Sequence, residues 1–362
     1  MNQTDKLLDL LDIELPIIQA PMAGCSTPEL VAAVANAGGL GSLACAMHSV
    51  EQMTKDAARI RAASNRSFML SFFTHKPPGD TAAQERAWAQ KLAPYYKEFG
   101  AEPPSAPPAG ARRPFDEEYC DAVLKIAPKI AHFHFGMPKP ELVKRLKDAG
   151  IVVLATGTTV AECKRVVELG AEAVVAQGFE AGGHRGIFLS KDTDIANQVG
   201  TMALVPQVVD AVKVPVIAAG GIADARGVAA AFALGASTAS VGTAYLFTPE
   251  ANVSKLHRAA LKAAHDDSTV LTTLFTGRPA RGIVNRFIRD MGPMNPDAPT
   301  FPNASNPLAP LRAAAEKSGT GDFSPLWSGQ GAGLARETTA AELTKNLAAG
   351  VREVVAAMAK AV

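Results

Sequence analysis

"PIIQAPMAGCSTPELVAAVANAGGLGSLACA", residues 16–46, holds one complete alternation of structural elements. Its opening, around Ile17 and Ile18, is apolar without polar alternation, as a strand covered on both faces should be. Thr27 then stands as an N-cap before "PELVAAVANAG". Pro28 occupies the first helical position, where a missing N–H costs nothing, and Gly38 stops the helix. "LGSLACA" (40–46) is the next apolar run. The segment reads as strand, helix, strand.

The same unit recurs along the chain. Apolar runs at 67–73 (SFMLSFF), 129–136 (KIAHFHFG), 151–158 (IVVLATGT) and 171–178 (AEAVVAQG) are each followed by a stretch of helical period. "VPVIAAGG" (214–221) and "ASTASVGT" (236–243) are the last two, with helical stretches at 202–212 and 224–235. The eighth strand ends at Gly242. Eight strand–helix units in even succession predict an α/β protein of the (β/α)8 TIM-barrel kind, with function at the C-terminal ends of the strands. A doubly wound sheet, the other α/β arrangement, rarely strings together eight parallel strands this evenly.

The rhythm breaks between His75 and Phe115. A helix-like "TAAQERAWAQKLAPYYKEF" and the proline-rich "PPSAPPAGARRP" read as an insertion on the loop after the third strand. We expect a barrel over residues 1–247 carrying insertion 75–115, a helical and loop cap over 248–335, and a C-terminal helix over 336–362 packed on the barrel. Within the cap, 252–291 reads as helix-rich and 292–310 as proline- and asparagine-rich loop.

Composition narrows the function classes. A formal net charge of +1 over 362 residues gives no basic surface for nucleic acid or a membrane face. The N-terminus lacks the basic start and unbroken apolar stretch of a signal peptide, and no apolar run approaches the ~20 residues that cross a bilayer. Cys25, Cys45, Cys120 and Cys163 lie far apart with no CxxC pair. The expectation is a cytoplasmic protein with no disulfide framework and no metal site. A homodimer is compatible with the sequence, and nothing in it fixes the oligomeric state.

Two glycine-bearing strand ends come in succession. Gly220 and Gly221 close the seventh strand, and Gly242 and Thr243 close the eighth. In barrels these loops form the usual phosphate site, because backbone N–H groups converge there. Across the mouth, the first strand ends in "QAPMAG", where Ala20, Pro21 and Met22 offer a rigid apolar edge. The sixth strand ends in Gln177, an amide able to donate and accept toward a heterocycle. A phosphate at one end and a flat polar ring across the middle describe flavin mononucleotide (FMN).

"FEAGGHRG" (179–186) follows Gln177. Gly182 and Gly183 let its backbone lie close to a ring, and His184 is the ionisable group nearest the reactive face, suited to general-base or electrostatic work. On the fourth strand His132 and His134 share one face while Phe133 and Phe135 share the other. His134, nearer the strand's C-terminal end, is a candidate substrate contact. His48, His75, His257 and His265 look like surface or loop residues, and Cys25 reads equally well as a small filler.

Together these stretches, with "FHFGMP" and "FTGRPARGIVNRF" (275–287), resemble the nitronate monooxygenase family, formerly called 2-nitropropane dioxygenases, across nearly the whole chain. The resemblance implies an FMN-dependent barrel that oxidises alkyl nitronates with O2 to carbonyl compounds and nitrite, by one-electron transfer through the flavin, in a detoxifying role. His184 matches the family's catalytic histidine. Gln177, Gly182, Gly221 and the segment Ser240, Val241, Gly242 and Thr243 match its FMN contacts. Ser71 stands where an asparagine usually contacts the flavin, and Ser240 where a glutamine is common. The implied partners are a nitronate and O2. Arg278 and Arg281, three apart and on one side of a helix if that stretch is helical, are candidates for drawing the anion in. Two alternatives share the barrel: an NAD(P)H-dependent enoyl-ACP reductase and a flavin-binding redox sensor without turnover.

Overall fold

A computed structural model of the chain describes residues 2–104, 112–191 and 195–361. The first six strands are β1 (Ile17–Gln19), β2 (Gly41–Ala44), β3 (Phe68–Phe73), β4 (Ile130–His134), β5 (Val152–Gly157) and β6 (Ala173–Gln177). A two-residue strand, β7 (Gly183–His184), follows, then β8 (Val216–Ala219) and β9 (Thr238–Val241). All but β7 form one parallel sheet in the order β1-β9-β8-β6-β5-β4-β3-β2, and an Ile18–Leu40 bridge joins its two edges. This is a (β/α)8 TIM barrel.

The strands are continuous apolar runs because both their faces are covered. One face packs on the helices through residues such as Ile17, Leu43, Leu70, Val153 and Val174. The other fills the barrel. At its N-terminal end Leu7 and Leu11 of the helix Gln3–Leu11 pack with Ile18, Met69, Ile130, Leu154 and Ile217. That plug closes the bottom and leaves the C-terminal mouth as the open end. The helix after β1 begins as its sequence dictates: the Thr27 hydroxyl accepts from the Leu30 amide at 3.0 Å, with Pro28 at the first position.

Three expectations are corrected. The tail "FTGRPARGIVNRF" is not helical around Arg278 and Arg281. Ala280–Ile283 is strand β11, which pairs with β10 (Thr269–Thr272) on one side and with β7 on the other. Arg278 and Arg281 therefore do not share a helix face. Residues 292–310 are not loop throughout, since a helix runs from Ser305 to Lys317. Of its two prolines, Pro307 lies in the first turn, where N–H groups have no helical acceptor, and Pro310 stands inside the helix. It packs on the insertion helix Ala82–Phe99, with Trp88, Leu92, Tyr96, Phe275, Phe287, Leu311 and Phe323 forming a second apolar core. Finally, His257 is buried on the helix Lys255–Ala263 rather than on the surface or a loop, while His75 is a loop residue whose ring is buried.

The C-terminal helix Ala340–Ala361 packs on the helices Pro28–Asn36 and Ala225–Ala233. Gly350 lets it approach so closely that a Cβ there would stand 2.6 Å from the Ala225 Cβ. Among the described residues no helix is long and apolar enough to cross a membrane. The proline-rich part of the insertion between 105 and 111 lies outside the described residues.

Candidate active site

A cavity opens at the C-terminal mouth of the barrel. Ala20, Pro21, Met22, Ser71, His134, Gln177, Gly182, Gly183, His184, Gly220, Gly221, Ser240, Gly242 and Thr243 all border it. Val241 does not: its side chain is fully buried in the core between sheet and helices. The strand period explains the exception, because Ser240 and Val241 point to opposite faces.

The loop after β6 is tied down by hydrogen bonds despite its glycines. Arg185, 1% exposed, donates to the Gln177 carbonyl at 3.0 Å, to the Gly178 carbonyl and to Gln198 Oε1 at 2.8 Å. Glu180 accepts from the amide and hydroxyl of Thr201, at the start of the helix Thr201–Ala211. Gln177 Nε2 donates to the His184 carbonyl at 3.0 Å, and its Oε1 accepts from the Gly186 amide at 2.9 Å. The amide expected to face a heterocycle thus holds the loop. Arg281, 3% exposed, donates to the Phe179 carbonyl and lies over the Phe179 ring. It is a structural clamp, so its expected role in drawing in an anion is withdrawn.

His184 is held from three sides. Its backbone pairs with Ala280 in the β7–β11 ladder. Its carbonyl also accepts from His134 Nε2 at 3.2 Å. Its own Nε2 lies 3.0 Å from the Thr276 hydroxyl, and that hydroxyl donates to the Arg278 carbonyl at 3.4 Å. A hydroxyl that donates there accepts from the ring, so Nε2 carries the proton and Nδ1 is the basic nitrogen. Phe73, Phe135, Phe301 and Trp327 surround the imidazole with ring centres 5.5–5.9 Å away. Burial pushes its pKa well below the ordinary value, helped by Arg112, His134, Arg278 and His75. His184 is neutral at pH 7.

On the strands beneath, Ser71 Oγ meets His132 Nδ1 at 2.8 Å, and His132 Nε2 meets Thr156 Oγ1 at 2.9 Å. Burial lowers His132 to about 4, and burial with the neighbouring His132 lowers His134 to about 3. The interior of the mouth is therefore lined by neutral hydrogen-bonding groups.

The opposite end of the cavity is a glycine cradle. Gly220 and Gly221 have φ of +124° and +69°, and a Cβ on Gly220 would stand 2.6 Å from Thr201 Oγ1. Among the described residues no acceptor takes up the N–H groups of Gly221, Gly242 or Thr243. The Thr243 hydroxyl accepts from the Gly329 amide at 2.9 Å, which leaves its own proton to donate. Gly182 packs against this same segment, a Cβ there falling 2.5 Å from the Gly329 nitrogen. Free amides, a hydroxyl and no side chain in the way suit a phosphate monoester.

Several residues that border the cavity or surround His184 gave no signal in the sequence. Phe135 leaves its strand's alternation because its backbone turns left-handed, φ 75°, just past β4. Trp327, Gly329 and Phe301 arrive from the tail, and Thr276 from "FTGRP". Arg112 borders the cavity from the insertion, where "ARRP" was its only mark. His257 reaches it by donating to the Trp327 carbonyl at 3.0 Å. Cys25 borders the cavity too, and burial raises its pKa, so it remains a thiol.

The geometry agrees with comparisons to known proteins. A family model described as "Nitronate monooxygenase" matches residues 4–350. A nitronate monooxygenase of Pseudomonas aeruginosa is 43% identical over 355 residues, 96% of this chain and 99% of the relative. A solved structure of nitroalkane oxidase from Streptomyces ansochromogenes superposes with a TM-score of 0.89 at 39% identity, covering 97% of this chain and 99% of its own. The structure of FabK from Thermotoga maritima is more distant, with a TM-score of 0.73 and 26% identity over 99% of each chain.

Proposed function

This chain belongs to the nitronate monooxygenase family, a family of flavin-dependent oxidoreductases, and we propose that it uses FMN and O2 to convert alkyl nitronates into carbonyl compounds and nitrite. Two nitronates and one O2 yield two carbonyl compounds and two nitrites, so atoms balance without a nicotinamide. The observation that carries the proposal is the pairing of a neutral, aromatic-boxed His184 with a glycine cradle across one cavity.

The cradle would hold the FMN phosphate through the Gly221, Gly242 and Thr243 amides and the Thr243 hydroxyl. Bound there, FMN supplies the electron acceptor for the nitronate and the route to O2. Pro21, Met22 and the Ser71–His132–Thr156 network border the space left for the ring system. Phe73, Phe135, Phe301 and Trp327 exclude water from the reactive end and suit a short alkyl chain. His184 Nδ1 is the group available for the α-proton of a neutral nitroalkane. For a nitronate, which has already lost that proton, His184 acts by position and polarity.

The test begins with purified protein: heating should release FMN, and neither FAD nor an absence of flavin fits the proposal. Under air, ethyl nitronate should drive O2 uptake and nitrite formation. Without air, NADH and NADPH should bleach the flavin slowly or not at all. Rapid bleaching by either nucleotide, with no O2 uptake on the nitronate, would establish a reductase instead.

A further inference from the structure

We infer that Arg112, contributed by the insertion, receives the negative charge of the substrate at the reactive end of the cavity, its guanidinium donating to the two nitronate oxygens. The inference rests on the proposed nitronate chemistry. Among the described residues bordering the cavity none is Asp or Glu, and Arg112 is the one with a permanent charge. Burial and the charge of Arg312 lower its pKa to about 10, which keeps it protonated at neutral pH. Among the described residues no carboxylate pairs with it. A cation facing neutral and apolar side chains is costly unless a ligand brings the counter-charge.

Two anions could answer it, a cofactor phosphate or the substrate. Position in the fold separates them. Arg112 stands beside β3: three residues on, the Phe115 amide donates to the Phe73 carbonyl at 2.8 Å. The Arg112 backbone also lies beside the buried His75 ring. Of the surrounding charges Arg112 acts most strongly on His184. The glycine cradle lies at the ends of β8 and β9, and β8 is diametrically opposite β3, reached through β6, β5 and β4 or through β9, β1 and β2. Arg112 therefore serves the His184 end.

The chemistry matches as well. A nitronate, like a carboxylate, presents two oxygens in a plane, the geometry a guanidinium fork meets with paired N–H donors. A neutral nitroalkane lacks the charge, so this contact selects for the anion.

Arg112→Met keeps an apolar stem and removes the donors, while Arg112→Lys keeps a point charge. With ethyl nitronate, which carries no second anionic group, the Met variant should raise KM about tenfold or more, with a smaller fall in kcat. Lys should recover part of the loss, and FMN content should match the parent in both. Nitrate, unreactive here, should perturb the flavin spectrum of the holoprotein and bind at least tenfold more weakly to the Met variant. Unchanged KM and nitrate affinity would overturn the inference. Loss of FMN would also overturn it by assigning Arg112 to the cofactor. A KM effect confined to carboxylate-bearing nitronates would overturn it in favour of a distal contact. Should the parent protein show no nitronate turnover, the proposed activity fails, while the nitrate titration still decides whether Arg112 is an anion site.

Discussion

His184 is held in one position because other residues fix both its backbone and its ring. Its backbone is a strand residue, its carbonyl is held by Gln177 and His134, and the Thr276 hydroxyl accepts from its Nε2. That leaves Nδ1 as the basic nitrogen, in a site where charge is poorly solvated. His184→Asn should retain FMN, since the cradle lies across the mouth. It should lower turnover roughly 10²–10⁴-fold, most for neutral nitroalkanes, whose α-proton needs a base. Steady-state O2 uptake with matched nitroalkane and nitronate measures it. Equal turnover of both forms by parent and variant would reduce His184 to a packing residue. The sequence made this residue legible through its glycine setting at a strand end. It could not show Thr276, because a threonine ninety-two positions away carries no local signal of a partner.

At the scale of elements, the ends of β8 and β9 form a cradle whose glycines are not equivalent. Gly220 and Gly221 need left-handed φ, so substitution there strains the backbone whatever the side chain does. Gly242 differs. Its φ is −106°, and a Cβ there would meet only the Ala20 Cβ at 3.6 Å, an ordinary contact. Gly242→Asp therefore adds a carboxylate beside the proposed phosphate position without backbone strain. The expected product is a folded, largely colourless protein, with circular dichroism of the parent and little flavin per chain. A yellow variant with full FMN content would move the phosphate elsewhere. The glycine pairs were visible in the sequence. The antiparallel β10-β11-β7 sheet was not, because β7 has only two residues and gains its hydrogen bonds from a segment nearly a hundred residues on.

For the whole molecule, the mouth of the barrel stores histidines in their neutral form. Burial leads in lowering His75 to about 4, His132 to about 4 and His134 to about 3, and it also pushes His184 well below the ordinary value. In the unfolded chain each returns to about 6.5. Between about pH 6.5 and 4 the unfolded state binds more protons, so stability must fall as pH falls through that window. The limiting slope is about 1.4 kcal/mol per pH unit for each histidine kept neutral. Urea unfolding of the holoprotein should show a clear loss of stability from pH 7 to pH 5, and His132→Gln should show a shallower loss. A pH-independent midpoint across that range would mean these imidazoles are already solvated in the folded state.

The sequence by itself determined the barrel, its eight strands and the end of the barrel where the cavity opens. Periodicity and caps are local, and each β-α unit states its own pattern within about thirty residues. It likewise marked His184 and the glycine pairs, because glycine before or after a strand end is a local backbone requirement. Only tertiary structure decided what surrounds them. The aromatic box draws on β3, the end of β4, Phe301 and Trp327, and Arg112 comes from the insertion. The same holds for Arg281, which resembled an anion contact until its burial against Phe179 made it a clamp. A side chain's role depends on whether its charge is left facing a cavity or satisfied by a carbonyl. That choice is made by segments far apart in the chain, so no local pattern encodes it.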